Sequence, residues 1–181
     1  MSIELVARDW NRLEWCGSFY PDGLPEDWRL TYFANAFEAV VIPMPVWRLQ
    51  AEVLGQWAND VPTRFRFYLE TDANGDTAGV APAAAALGER FAGSVRAPQT
   101  YTPQDPSPKD DQLLPAWDAQ GAPMLARSFP THLTCDPRNA LQWLRNLSVE
   151  ARSQPALAII GDATADNLIR LGQLVALAGL A

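Results

Sequence analysis

Six short runs of strand-forming residues, mostly separated by stretches with helical spacing, constrain this chain more than any other feature of its sequence. The runs lie at 3–8, 37–42, 65–70, 91–97, 123–129 and 156–160, and the helical patterns at 26–36, 47–59, 82–91, 136–152 and 164–180. Such alternation specifies βαβ units and a mostly parallel sheet. The run at 37–42 is almost wholly apolar, as a strand covered on both faces must be. Pro43 and Pro45 end it, because proline cannot donate to a sheet ladder. The run at 65–70 alternates: Phe65, Phe67 and Leu69 point one way, and Arg66, Tyr68 and Glu70 the other. In the helix at 26–36, Trp28, Tyr32 and Phe33 fall on or near one face, and Val53, Leu54 and Trp57 do so in the next. Asp136 followed by Pro137 is a helix start, with aspartate capping and proline in the first turn. Residues 99–115 read as a loop broken by Pro103, Pro106, Pro108 and Pro115.

The chain has 181 residues, which fits one domain at roughly 100–200 residues apiece. It carries 21 acidic against 14 basic side chains, a net charge of −7, and this argues against nucleic acid as a partner. Lys109 is the only lysine and His132 the only histidine, so Schiff-base and imidazole chemistry each have one candidate. Cys16 and Cys135 lie far apart and form no CxxC pair, which removes a structural zinc site and leaves open whether they pair. No apolar run of signal-peptide length opens the chain. Its most apolar stretch, 171–181, falls short of the ~20 residues that span a bilayer. The expectation is a soluble, cytoplasmic, bacterial-type protein with no membrane partner.

Few motifs carry chemistry. No dinucleotide or phosphate-binding glycine motif is present, so no cofactor is expected. Residues 72–76, Asp-Ala-Asn-Gly-Asp, lack the spacing of a calcium loop and its glutamate at position twelve, and Asp72 is more simply a turn residue. His132 and Cys135 share a loop, but no residue type nearby in sequence orients the histidine. Most of the seven tryptophans occupy positions where a large ring fills a core. Trp10 and Trp47 follow strand ends and are the two placed to line a pocket.

The segment Trp10-Asn11-Arg12-Leu13-Glu14-Trp15-Cys16-Gly17-Ser18-Phe19-Tyr20-Pro21 resembles the W-x-x-x-x-W-x-G-x-F-Y-P stretch of the YecE-like family, domain of unknown function 72. Residues 37–49 are similar to that family's second strand and following helix, and Pro62-Thr63-Arg64-Phe65-Arg66-Phe67 to its P-x-x-F-R-F third strand. Leu87-Gly88-Glu89-Arg90 and residues 95–98 are similar to its fourth unit. The resemblance implies a shortened or distorted TIM-like (β/α) barrel. About six β/α units are legible, fewer than the eight of a full barrel of ~250 residues. An incomplete barrel has edges to hide, and the nearly chargeless closing helix with Leu171, Leu174 and Val175 is placed to cover one or to meet a second copy of the chain.

The departures fall at strand C-terminal ends, where barrel enzymes keep their chemistry. Val41 and Pro43 stand where the family has a glutamate and an asparagine, Glu70 for a lysine, Arg96 for a glutamine and Leu125 for a glutamate. Arg127 matches a family arginine, and the glycine-containing opening before the first tryptophan reads Val6-Ala7-Arg8-Asp9. The expected site is a mouth lined by Asp9, Trp10, Trp47, Glu70, Arg96 and Arg127, with Glu70 and Arg96 as a bidentate pair and Arg127 bringing a second guanidinium. Two functions follow. The first is a divergent, non-catalytic member acting through contacts that include its own homodimer. The second is a binding protein or enzyme for a small anionic or sugar-like ligand.

Overall fold

The structure is a computed structural model that describes residues 3–49, 51–72, 77, 79–97, 110–152 and 154–180. Among them are seven strands: β1 (Ile3–Arg8), β2 (Ala39–Ile42), β3 (Arg66–Thr71), β4 (Phe91–Arg96), β5 (Leu113–Asp118), β6 (Pro123–Ser128) and β7 (Ala156–Ile160). Six α-helices accompany them: α1 (Arg29–Ala36), α2 (Met44–Leu49), α3 (Leu54–Asp60), α4 (Val80–Leu87), α5 (Pro137–Ala151) and α6 (Ala165–Leu177). The strands close into a barrel in chain order. All neighbours are parallel except β5, which runs antiparallel to both β4 and β6.

Two expectations change, and the closure of the barrel, which the sequence left open, is decided. The barrel has seven strands rather than six, because residues 113–118 form a strand where the proline-rich loop was expected to run on to 115. Pro115 is tolerated there because β4 pairs with β5 only at residues 116–118, so the missing donor falls where β5 has a single neighbour. The sheet also closes: Ile3 pairs with Ala156 and Ala7 with Ile160 across the β1–β7 seam. No edge is left at that seam for α6 to cover, and the helix packs instead on β1 and α5. Finally, Trp28 is exposed, and α1 buries Leu30, Phe33 and Ala34. The rest of the expected loop, 98–109, and residues 73–76 of the Asp72–Asp76 stretch lie outside the described residues.

Strand alternation divides the apolar residues into two cores. Val6, Val41, Tyr68, Val95, Ala126, Leu157 and their neighbours fill the barrel interior. Ala7, Val40, Ile42, Phe67, Leu69 and Ala158 face the helices. The helical layer over β1–β3 is aromatic, with Trp15 stacked on Phe33 at 6.0 Å and Phe65 edge-on to Phe33. Gly93 is required where β4 meets β5, since a Cβ there would sit 2.2 Å from the Trp117 carbonyl oxygen. Asp136 caps α5 by accepting from the Asn139 amide at 3.2 Å, and Pro137 occupies the first turn as expected. No described helix is long and apolar enough to cross a membrane.

Candidate functional site at the barrel rim

Which way a strand residue points decides what the rim contains. Val6 and Tyr68 face the interior, so Arg8 and Glu70, two residues further on, face it too at the C-terminal end. There they form a buried bidentate ion pair, Arg8 Nε to Glu70 Oε2 at 2.6 Å and Nη2 to Oε1 at 3.0 Å. The Glu70 backbone carbonyl accepts from the Trp47 indole N–H at 2.8 Å, which locks α2 to the end of β3. Ser128, in phase with interior Ala126, accepts the Gln112 amide at 2.7 Å. These polar groups at the interior end of the barrel thus each have a hydrogen-bond partner within the chain.

The bidentate pair expected of Glu70 exists, but its partner is Arg8, not Arg96. In the β3–β4 register Glu70 lies beside Val95, an interior residue, so Arg96 is one residue out of phase and points outward. Its guanidinium lies 5.4 Å from the centre of the Trp117 ring. Arg127 follows interior Ala126 and also points outward, where it pairs with Asp111 at 3.4 Å and with Glu150 of α5 at 3.3 Å. The two guanidinium groups expected to receive an anion therefore do not converge on the mouth. Arg8 was missed, because its run offers both Val6 and Ala7 as apolar neighbours and only the structure shows that Val6 is the interior one.

Asp9, Trp10 and Trp47 do gather at the rim. Asp9, in the Val6–Asp9 stretch where the family resemblance has a glycine-containing opening, adopts a left-handed conformation (φ 71°). Its amide donates to the Val41 carbonyl at 2.9 Å and its carboxylate accepts the Asn11 amide at 2.9 Å, a local bond that makes aspartate tolerable in this region. Trp10 is buried, with its ring edge-on to Trp57 at 4.9 Å. Its carbonyl accepts the Tyr20 hydroxyl at 2.5 Å. Burial, with the Asp9 charge adding to it, pushes that hydroxyl well above the usual tyrosine range. Trp47 is buried and acts through the bond to β3.

Beside these residues opens a groove of about 510 Å³. One wall is the segment after β1 with the 3-10 turn (Glu26–Trp28) that precedes α1, bringing Asp9, Trp10, Asn11, Glu26 and Asp27. The other is the approach to α3 and α3 itself, with Val53, Gln56, Trp57 and Asp60. Asn11 ties the first wall together: its amide nitrogen donates to Glu26 at 2.5 Å and its oxygen accepts from Arg29 at 2.5 Å. Gln56, Trp57 and Asp60 were not expected at a site. Only the tertiary packing of α3 brings them to the rim.

Other candidates resolve as structure. His132 is exposed and sits 3.4 Å from Asp110, which also accepts the Thr131 amide at 2.8 Å. Partial burial opposes ionisation of Asp110, but the bonds from Thr131 and His132 outweigh it and hold the carboxyl below its usual range. Cys135 contacts Thr134 and Asn167 rather than His132, and it and Cys16 are free thiols. At the opposite end of the barrel the Tyr68 hydroxyl donates to Glu4 at 2.5 Å. Burial raises the Glu4 carboxyl, against the Tyr68 bond and the Arg66 charge that lower it. Among the described residues no group of three or more His, Cys, Asp or Glu is placed to hold a metal ion.

No curated protein and no solved structure gives a match to this chain. Residues 7–74, which run from β1 through β3 and include Arg8, the groove's tryptophans and Glu70, match the family model described as Protein of unknown function DUF72. The chain is, on that match, consistent with a member of the DUF72 (YecE-like) family.

Proposed function

We propose that this protein is a non-catalytic YecE-like barrel that binds a small uncharged or cationic molecule in the rim groove. The observation that carries the reading is the buried Arg8–Glu70 pair. Acid–base chemistry needs two groups with separated tasks and access to a substrate. Here both carboxylate oxygens of Glu70 are bonded by Arg8 inside the barrel. An anionic ligand has little to recognise, because Arg96 and Arg127 face outward, Arg127 against carboxylates. The groove offers concave space beside the rim, and its indoles and polar side chains suit a small polar molecule. The two exposed thiols are in keeping with a cytoplasmic setting, where they would stay reduced.

The reading is tested by fragment screening with amide and indole NMR, using a mixture of neutral, cationic and anionic fragments. Neutral or cationic hits should perturb Asn11 and the Trp10 and Trp57 indoles. Anionic hits that perturb Arg8, Glu70 and Ser128 instead would overturn it.

A further inference from the structure

The outward faces of the strands are not covered alike. Outward residues such as Val40, Ile42, Phe67, Leu69 and Ala158 are buried beneath the helical layer. β5 differs. Its interior positions are Leu114 and Ala116, so Leu113, Pro115 and Trp117 face out. The helices pack chiefly on β1, β3, β4 and β7, whereas β5 packs on its flanking strands β4 and β6. Leu113 is accordingly 56% exposed, Pro115 is exposed and Trp117 is half-buried. The β5–β6 register adds exposed Pro123 beside Trp117, which extends the apolar strip sideways. Contiguous apolar surface of this kind marks a protein contact.

Charge indicates what covers it. On the β4 side the strip is bordered by Arg96, whose guanidinium lies over Trp117 and has no carboxylate partner among the described residues. On the β6 side it is bordered by Arg127, which serves two carboxylates, Asp111 at 3.4 Å and Glu150 at 3.3 Å. One guanidinium against two carboxylates leaves a negative charge over on that side, while the lone guanidinium leaves a positive one on the other. Two copies facing each other about a two-fold axis along β5 bring the β4 side of each against the β6 side of the other. Apolar strip then meets apolar strip on the axis, and each Arg96 meets the carboxylates beside Arg127 of the second copy. A face whose two flanks carry opposite charge is complementary to itself, as an isologous contact requires. The chain carries a net charge of −7, so a pairing that matches opposite charges is favoured over an arbitrary one.

We infer that β5 is the centre of a homodimer contact, in which two barrels pack sheet to sheet through Leu113, Pro115 and Trp117 and set Arg96 of each against Asp111 and Glu150 of the other. This surface is distinct from α6, where the sequence suggested a second copy would sit. The rim groove stays open in such a pair, because its walls contribute nothing to the β5 face. Three short strands make a contact at the small end of the range for protein pairs, so association is weak and concentration-dependent.

The experiment is sedimentation equilibrium of the full chain over concentrations from about 5 to 500 μM, the range suited to a small interface. The average mass should rise with concentration toward that of two chains. Leu113→Lys and Arg96→Glu should each weaken association about tenfold, with the melting temperature of the dilute chain unchanged. Glu150→Arg should act in the same direction. The double variant Arg96→Glu/Glu150→Arg restores opposite charges across the axis and should recover most of the association. Leu177→Lys, on the exposed surface of α6, should alter nothing. A chain that stays monomeric throughout would overturn the inference, as would a dimer that Leu113→Lys leaves intact or that Leu177→Lys dissolves. A dimer sensitive to each single change but not recovered by the charge swap would overturn the two-fold arrangement along β5.

Discussion

At the scale of single residues, the Arg8–Glu70 pair is the most consequential contact. Both groups are buried, so removing one leaves the other charged and uncompensated. Glu70→Ala should cost about 3–5 kcal/mol in urea unfolding. The double variant Arg8→Met/Glu70→Leu should recover most of that loss, because two apolar side chains strand no charge. A double variant no more stable than the single one would show that the pair's worth lies in other contacts of these side chains. Gly93 sets a second limit: the 2.2 Å approach of a Cβ to the Trp117 carbonyl leaves Gly93→Ala no room unless β5 moves. That substitution should lower the melting temperature and disturb amide signals of β5 before those of β1.

Residue patterns also show what could be read beforehand. The alternation at 65–70 put Tyr68 and Glu70 on one face before any coordinates, and the structure agrees. The same arithmetic applied to Arg96 and Arg127 needed one neighbour known to be interior. Val95 and Ala126 are apolar residues in short runs where either phase looks reasonable, so the sign was undetermined.

At the scale of elements, α5 illustrates a helix legible from its own residues. Asp136 and Pro137 start it, and Ala140, Leu144, Leu147 and Ala151 recur on one buried face. Asp136→Ala should cost about 1 kcal/mol through the lost cap, and Leu144→Ala about 2–5 kcal/mol through the cavity, measured by chemical denaturation. If the cap variant proves the more costly, packing does not hold this helix. The element that escaped was β5. Its residues, with exposed Leu113 and Pro115, carry little strand signal of their own, and it forms because β4 and β6 both offer unpaired backbone to it.

At the scale of the whole molecule, the barrel has a polar pair at each end of its interior, Arg8–Glu70 at the rim and Glu4–Tyr68 at the base. The base pair makes stability depend on pH in a definite direction. Burial raises the Glu4 carboxyl above 4.5, so the folded state holds a proton that the unfolded state releases. Glu4 therefore weakens the fold at neutral pH, and that penalty is relieved as pH falls through its raised value toward 4.5. Asp110 and Asp136 act oppositely, because their lowered carboxyls stabilise the fold at neutral pH and lose that contribution in acid. Subtracting the stability–pH curve of Glu4→Gln from that of the parent isolates the first effect. The variant should gain relative to the parent above that window and converge with it below. Parallel curves would refute the burden assigned to Glu4.

What the residues determined by themselves was local: strand against helix, the proline that stops β2, the cap of α5 and the framework segment after β1. These depend on steric and hydrogen-bonding preferences within a few positions of chain. Only the tertiary structure decided that the sheet closes through a seventh, antiparallel strand, that Arg8 rather than Arg96 meets Glu70, and that α3 brings Trp57 and Asp60 to the rim. Register and closure are chosen by backbone partners far away in the chain, and a one-residue difference in phase sends a side chain to the opposite face.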